Sequence, residues 1–265
     1  MAADARYLST MRVAALQLAA PFGEVEANRA RLVRAIESLD DGLDLVVAPE
    51  TVITGYDLDG FARVGRELAE PVEGPTVSAL RPLAADRGAV LMAGILEAGT
   101  DGAIYDTVVT VQPDGAVSPY RKTHLYPTEV EHFAAGDQLM TISSSFGRLG
   151  VEICFEHAFP EITASLALDG ASVIAIPSAV GDGYRHLLTL RTRARAQDNQ
   201  LFVVAANLTR HGFCGGSLIT DPRGEILAEA DEEEGPIVAD LDFSVMEAER
   251  QHEPTLQLRR IDLYR

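Results

Sequence analysis

Three side chains able to do covalent and proton chemistry stand beside short apolar runs. Cys154 lies in GVEICFEHAFPE, where an apolar run gives way to a turn and Pro160-Glu161 suits the first turn of a helix. Such a turn leaves the thiol accessible, and its backbone N–H groups can point at an anion, so Cys154 is a candidate nucleophile. A small buried apolar residue is the alternative for any cysteine. A thiol nucleophile needs a base for its proton and a positive group for the developing negative charge. Glu50 ends the run Leu45-Val46-Val47-Ala48-Pro49, a place that partly desolvates a carboxylate and draws its pKa upward, unless it is an exposed strand-end acid. Lys122, in Tyr120-Arg121-Lys122-Thr123-His124-Leu125, is either the cation of such a site or an ordinary surface lysine.

Other chemistries find no support. The chain has no His-Glu-x-x-His, no Cys-x-x-Cys and no Gly-x-Ser-x-Gly, and its six histidines show no ligand spacing, so neither a metal nor an organic cofactor is expected. Gly212-Phe213-Cys214-Gly215-Gly216 leads into a strand rather than opening a helix, which suits close backbone packing better than a phosphate cradle. The net charge of −18 repels nucleic acid and anionic lipid, and Asp231-Glu232-Glu233-Glu234 before Gly235-Pro236 suits a solvated turn. Met1 to Arg6 lacks the basic start and apolar core of a signal peptide, and no run of ~18 apolar residues follows. A cytoplasmic protein is expected, with Cys154 and Cys214 as free thiols.

The elements that must position these groups follow from apolar patterning. Runs rich in Val, Ile and Ala predict strands at Met11 to Leu18, Leu43 to Ala48, Ala89 to Leu96, Thr107 to Gln112, Leu149 to Ile153, Ala171 to Ile176 and Leu201 to Ala206. Helical spacing places Leu32, Val33, Ile36 and Leu39 on one face of residues 28–39, and Val77, Leu80 and Leu83 on one face of residues 76–87. The alternation is that of an α/β fold. Residues 76–119 and 185–229 both read helix, strand, then a hairpin, around Pro113-Asp114-Gly115 and Pro222-Arg223-Gly224. Two similar halves with no linker between them predict a single domain over residues 1–265, with residues 1–10 as an extension. Tyr120 to Phe146 reads as a segment without a counterpart in the other half, and so as a candidate site loop.

Taken together, LVVAPETVITGY, YRKTHLYPTEVEHFAAG and GVEICFEHAFPE resemble, in that order, the motifs of the nitrilase superfamily, the carbon-nitrogen hydrolases. RARAQDNQLFVVAAN, GGSLITDPRGEIL and RRIDLY extend the resemblance through the second half, covering Met11 to Tyr264. The resemblance implies a four-layer α-β-β-α sandwich with an internal pseudo-two-fold, and an amidase-like enzyme that makes a cysteine thioester. It implies Glu50 as general base, Lys122 as catalytic lysine, Cys154 as nucleophile and the Phe155 backbone N–H as an oxyanion donor. Glu131 is the best match to the family's second glutamate, with Glu129 as rival. Tyr56, Phe133, His157 and Ser178 are pocket candidates, though packing, turn and capping roles suit them equally. Arg193 and Arg195, with Asp198 nearby, read as structural ion pairing.

The resemblance also implies a homodimer or larger homo-oligomer built through residues 160–168 and a C-terminal tail, taken as 245–265. Many relatives carry an arginine where this chain has Ala158, and its absence points to a neutral or cationic small aliphatic amide. A nitrile or an N-carbamoyl amide is the runner-up. A non-catalytic interaction scaffold is the rival of another class.

Overall fold

The computed structural model describes residues 10–263; Met1 to Arg6 and Tyr264, at the two ends of the readings above, lie outside the described residues. The first half runs β1 (Thr10–Gln17), α1 (Val25–Glu37), β2 (Leu45–Val47), α2 (Leu58–Leu68), α3 (Pro75–Arg87), β3 (Val90–Ala98), β4 (Ile104–Val111) and β5 (Val117–Arg121). The second half begins with β6 (Thr141–Ser144) and β7 (Gly147–Val151), then a 3₁₀ turn over Cys154–Ala158. It continues through α4 (Pro160–Leu168), β8 (Ala171–Ser178), α5 (Arg185–Asn199), β9 (Phe202–Asn207) and a small excursion formed by β10 (Thr209–Arg210) and β11 (Phe213–Cys214). The chain closes with β12 (Leu218–Thr220), β13 (Ile226–Glu229), β14 (Gly235–Asp242) and α6 (Phe243–His252).

The strands form two six-stranded sheets, ordered β14-β1-β2-β3-β4-β5 and β13-β12-β9-β8-β7-β6. Each has a parallel centre, β1-β2-β3 or β7-β8-β9, because helical crossovers return the chain to the same end. The central strands are largely apolar because both of their faces are covered, whereas the outer strands β13 and β14 alternate between half-buried and exposed positions. Val13 and Ala15 of β1, Leu45 and Val47 of β2, Val173 and Ala175 of β8, and Phe202 and Val204 of β9 fill the layer between the sheets. Their alternates go outward: Ala14, Leu16 and Val46 pack under α1 and α3, and Ile174, Ile176, Val203 and Ala205 pack under α4 and α5. The result is a four-layer α-β-β-α sandwich with one half repeated in the other.

The two hairpins show how close the repeat is. Gln112 N–H donates to the Ala116 carbonyl and Asp221 N–H to the Glu225 carbonyl, both at 2.9 Å. Gly115 at φ +85° and Gly224 at φ +76° take the left-handed conformation that closes each turn. The lack of a counterpart for Tyr120 to Phe146 holds for its middle only. Its start completes β5, the counterpart of β13, and its end forms β6, which pairs antiparallel with β7 as β14 pairs with β1.

Candidate active site

Glu50, Lys122 and Cys154 all stand just beyond strand ends, two on the first sheet and one on the second. Beyond β2, Ala48 N–H donates to the Met92 carbonyl and Gly94 N–H to the Pro49 carbonyl, so pairing with β3 continues up to Glu50. The turn that follows needs room: a Cβ on Gly94 would lie 2.3 Å from the Thr51 nitrogen and 2.7 Å from Glu50 Cα. Lys122 leaves β5 with its N–H bonded to the Asp106 carbonyl at 2.9 Å and its own carbonyl accepting from Gly136 N–H at 2.8 Å. Beyond β7, Glu152 N–H still bonds the Ala175 carbonyl. The chain then turns so sharply that Cys154 takes φ +44°, a region a side chain occupies only under strain.

The Lys122 ammonium is enclosed by carboxylates, with Nζ at 2.6 Å from Glu50 Oε1, 2.8 Å from Glu129 Oε1 and 3.3 Å from Asp106 Oδ2. All four side chains are buried. Glu129 is fixed from two further sides, by the Tyr56 hydroxyl at 2.7 Å and the Tyr126 backbone N–H at 2.6 Å. Glu131 is exposed and takes no part. The assignment of the second glutamate to Glu131 is therefore corrected to Glu129: a tight turn joins Tyr126 to Glu129, through the Glu129 N–H to Tyr126 carbonyl bond, and brings Glu129 rather than Glu131 back to the lysine.

Asp106 escaped the sequence reading. The available signal was a carboxylate within the strand run Ile104 to Val111, where only a paired charge is tolerated. Among the described residues, Glu50, Asp106 and Glu129 are the one group with oxygens close enough together to ligate a metal, within 4.8 Å. The Lys122 ammonium already stands among them as their cation.

Electrostatics follows from this enclosure. Burial pulls the Lys122 pKa down, but Glu50, Asp106 and Glu129 together push it well above the ordinary value, so the ammonium stays charged. Burial, then the Glu50 charge, push the Asp106 carboxyl well up, with Lys122 opposing them. Burial and Glu50 also push the Cys154 thiol well up, opposed by Lys122 and by the Ala179 backbone N–H that bonds it. Cys154 thus rests as a thiol, and a thiol needs a base before it can act as a nucleophile.

The lysine and cysteine arms are joined by Glu156, a neighbour to which the sequence assigned no role. Its carboxylate is fully buried and accepts from the Tyr120 hydroxyl at 2.9 Å, Thr123 N–H at 2.8 Å, the Thr123 hydroxyl at 2.5 Å, His124 N–H at 3.2 Å and Ile153 N–H at 2.7 Å. One side chain thereby ties the segment flanking Lys122 to the residue before Cys154.

These groups open into a cavity of about 460 Å³ that Glu50, Lys122, Glu129 and Cys154 line together. Tyr56, Phe155 and His157 line it as well, and so does Arg191 of α5. Two expected pocket residues do not. Phe133 packs edge-on against Phe61 at 5.2 Å in a satellite core beside α2, and the Ser178 hydroxyl donates to the Ile176 carbonyl at 3.2 Å. Arg195 pairs with Asp198 at 3.1 Å as expected, whereas Arg193 donates to the Gly224 carbonyl at 2.7 Å instead of joining an ion pair. Cys154 and Cys214 are both free thiols. No helix among the described residues is long and apolar enough to cross a membrane.

Comparison with known proteins identifies the family. Residues 12–251 match the family model for carbon-nitrogen hydrolases. The chain is 34% identical over 258 residues to an (R)-stereoselective amidase of a Pseudomonas species, covering 96% of this chain and 93% of that one. It is 34% identical over 281 residues to omega-amidase NIT3 of Saccharomyces cerevisiae, covering 96% and 94%. The crystal structure of Saccharomyces cerevisiae Nit3, described as a member of branch 10 of the nitrilase superfamily, superposes with a TM-score of 0.88 at 33% identity, covering 98% of this chain and all of that one.

Proposed function

Because this chain belongs to the carbon-nitrogen hydrolases of the nitrilase superfamily, we propose that it hydrolyses small aliphatic amides to the carboxylic acid and ammonia through a thioester on Cys154. The observation that carries the reading is the buried Lys122 ammonium bonded to Glu50 and Glu129 in the same cavity as a cysteine at φ +44°. Glu50 takes the Cys154 proton as Sγ attacks the amide carbonyl carbon. The carbonyl oxygen becomes an oxyanion, received by the Lys122 ammonium and by the Phe155 N–H, which stands in the first turn of the 3₁₀ segment where no intrahelical acceptor exists. Collapse expels the amine nitrogen, which takes the proton held on Glu50 and departs as ammonia. Water then gives a proton to Glu50 and attacks the thioester, and the expelled sulfur recovers the proton as the acid leaves.

Lys122 suits the oxyanion role rather than that of base, because its carboxylate neighbours hold its proton. Nitrile and N-carbamoyl substrates would use the same thiol, and no contact in the cavity favours them. The scaffold reading likewise has no observation in its favour.

The reading is tested by incubating the protein with a panel of amides, nitriles and ureido compounds. Ammonia release without carbon dioxide from the amides, together with a mass increase on the Cys154 peptide equal to the acyl group, is expected. Cys154→Ala should lose both while keeping its melting temperature within a few degrees. Turnover retained in that variant would overturn the assignment.

A further inference from the structure

We propose that Asp106 is a positioning residue for Glu50: its carboxyl keeps its proton and donates a hydrogen bond to Glu50 Oε2. The inference rests on the amide-hydrolase reading above and adds to it the group that holds the base in place.

β4 carries Asp106 into the layer between the sheets, on the same strand face as Val108, and the side chain is fully buried. The charged groups that act on it are Glu50 beyond β2, Lys122 beyond β5 and Glu129 in the turn that follows Lys122. Three ionised carboxylates around one ammonium would leave two charges uncompensated in a buried site. Burial makes that state costly, and carboxylates that crowd one site relieve it by retaining a proton.

The three carboxylates are not served alike by donors. Glu129 accepts from Lys122, from the Tyr56 hydroxyl and from the Tyr126 N–H. Glu50 Oε1 accepts from Lys122 at 2.6 Å, whereas Glu50 Oε2 has no partner among the described residues. Asp106 has the ammonium 3.3 Å from Oδ2, but no hydrogen bond reaches either of its oxygens. The carboxyl without a donor loses least by keeping its proton, and once protonated it becomes a donor itself. Glu50 Oε2 is the open acceptor beside it, since oxygens of Glu50, Asp106 and Glu129 lie within 4.8 Å of one another. One proton thereby satisfies a buried atom on each residue. Burial and the Glu50 charge, which raise the Asp106 pKa, act in the same direction.

In the reaction proposed above, that proton stays on Asp106. Glu50 takes its proton from Cys154 as the carbon–sulfur bond forms, and the negative charge lost at Glu50 reappears on the carbonyl oxygen beside Lys122. The net charge of the site does not change. With Asp106 ionised, the oxyanion would form beside a further unbalanced carboxylate, and Lys122 would be shared among more anions.

The test compares two substitutions. Asp106→Asn cannot ionise, yet it keeps an oxygen for Lys122 and an N–H for Glu50; Asp106→Leu keeps the size without a donor. Asp106→Leu should lower kcat/KM for the best amide substrate by roughly 10- to 100-fold, chiefly through kcat, the range for a hydrogen bond to a charged group. Asp106→Asn should recover most of that loss, and melting temperatures establish that both variants fold. The infrared difference between parent and Asp106→Asn at neutral pH should contain the carbonyl stretch of a protonated carboxyl, shifted in D2O, a readout independent of turnover. Should Asp106→Leu fail to fold, the spectrum decides alone. A carboxylate band in its place, Asp106→Asn as impaired as Asp106→Leu, or a folded Asp106→Leu that turns over like the parent overturns the inference. Each of these leaves the amidase reading standing. Ammonia release from no amide by the parent overturns the amidase reading and the reaction role of Asp106 with it, while the spectrum still decides where the proton lies.

Discussion

At the scale of single residues, what matters is how a lysine can be kept charged, dry and aimed. Burial alone would neutralise the Lys122 amine; Glu50 and Glu129, bonded at 2.6 and 2.8 Å, reverse that preference. The two carboxylates are held differently, since Glu50 Oε2 has no hydrogen-bond partner among the described residues while Glu129 is held by Tyr56 and Tyr126. Glu129→Gln should therefore lower kcat/KM by about 100-fold, as removal of a preorganised electrostatic group does. Glu131→Gln, on an exposed side chain, should stay within about twofold. Steady-state kinetics of the two variants side by side check the correction directly, and the reverse order would restore Glu131.

At the scale of elements, the site depends on two arms that leave different sheets and must meet. The lysine arm leaves β5 on the first sheet; the cysteine turn leaves β7 on the second. Glu156 crosses between them with bonds to Tyr120, Thr123, His124 and Ile153. Because all these partners are donors, an amide nitrogen in place of either carboxylate oxygen would face a donor with a donor. Glu156→Gln should cost about 2–3 kcal/mol of stability, the penalty for a buried unsatisfied group, seen in chemical denaturation. It should also lower kcat more than it raises KM, because the oxyanion donor and the nucleophile lose their common anchor. A variant destabilised with kcat unchanged would mean that Glu156 supports the fold alone.

At the scale of the whole molecule, one buried acid couples folding to pH. Glu152 is fully buried beneath the cysteine turn with Thr163 donating to Oε1 at 2.5 Å and no partner for Oε2 among the described residues. Burial pushes its pKa up from 4.5 to about 8, the Thr163 bond opposing and Glu156 assisting. The folded protein thus holds a proton that the unfolded chain gives up between those values. The stability that Glu152 contributes is complete below pH 4.5, falls as pH rises, and is gone above about pH 8. Glu152→Gln cannot ionise. Its stability relative to the parent should rise by a few kcal/mol across that window and level off above it, as measured by denaturation at a series of pH values. A difference that does not vary with pH would mean that Glu152 is ionised in the folded protein.

The sequence by itself determined the α/β class and the repeat, because central strands covered on both faces must be largely apolar and hairpins need their glycines at fixed places. It also singled out Glu50, Lys122 and Cys154, through stretches that resemble the family's motifs, and the three line one cavity. Only the tertiary structure decided between Glu129 and Glu131, because a turn of backbone hydrogen bonds, invisible in residue types, chooses which carboxylate faces the lysine. Only it could bring Asp106 from β4 to Lys122 beside β5, join Glu156 to both arms, and carry Arg191 on α5 into the cavity of Cys154. Those contacts join residues distant in the chain, and a charged side chain's partner is set by which strands pair and which helices pack above them.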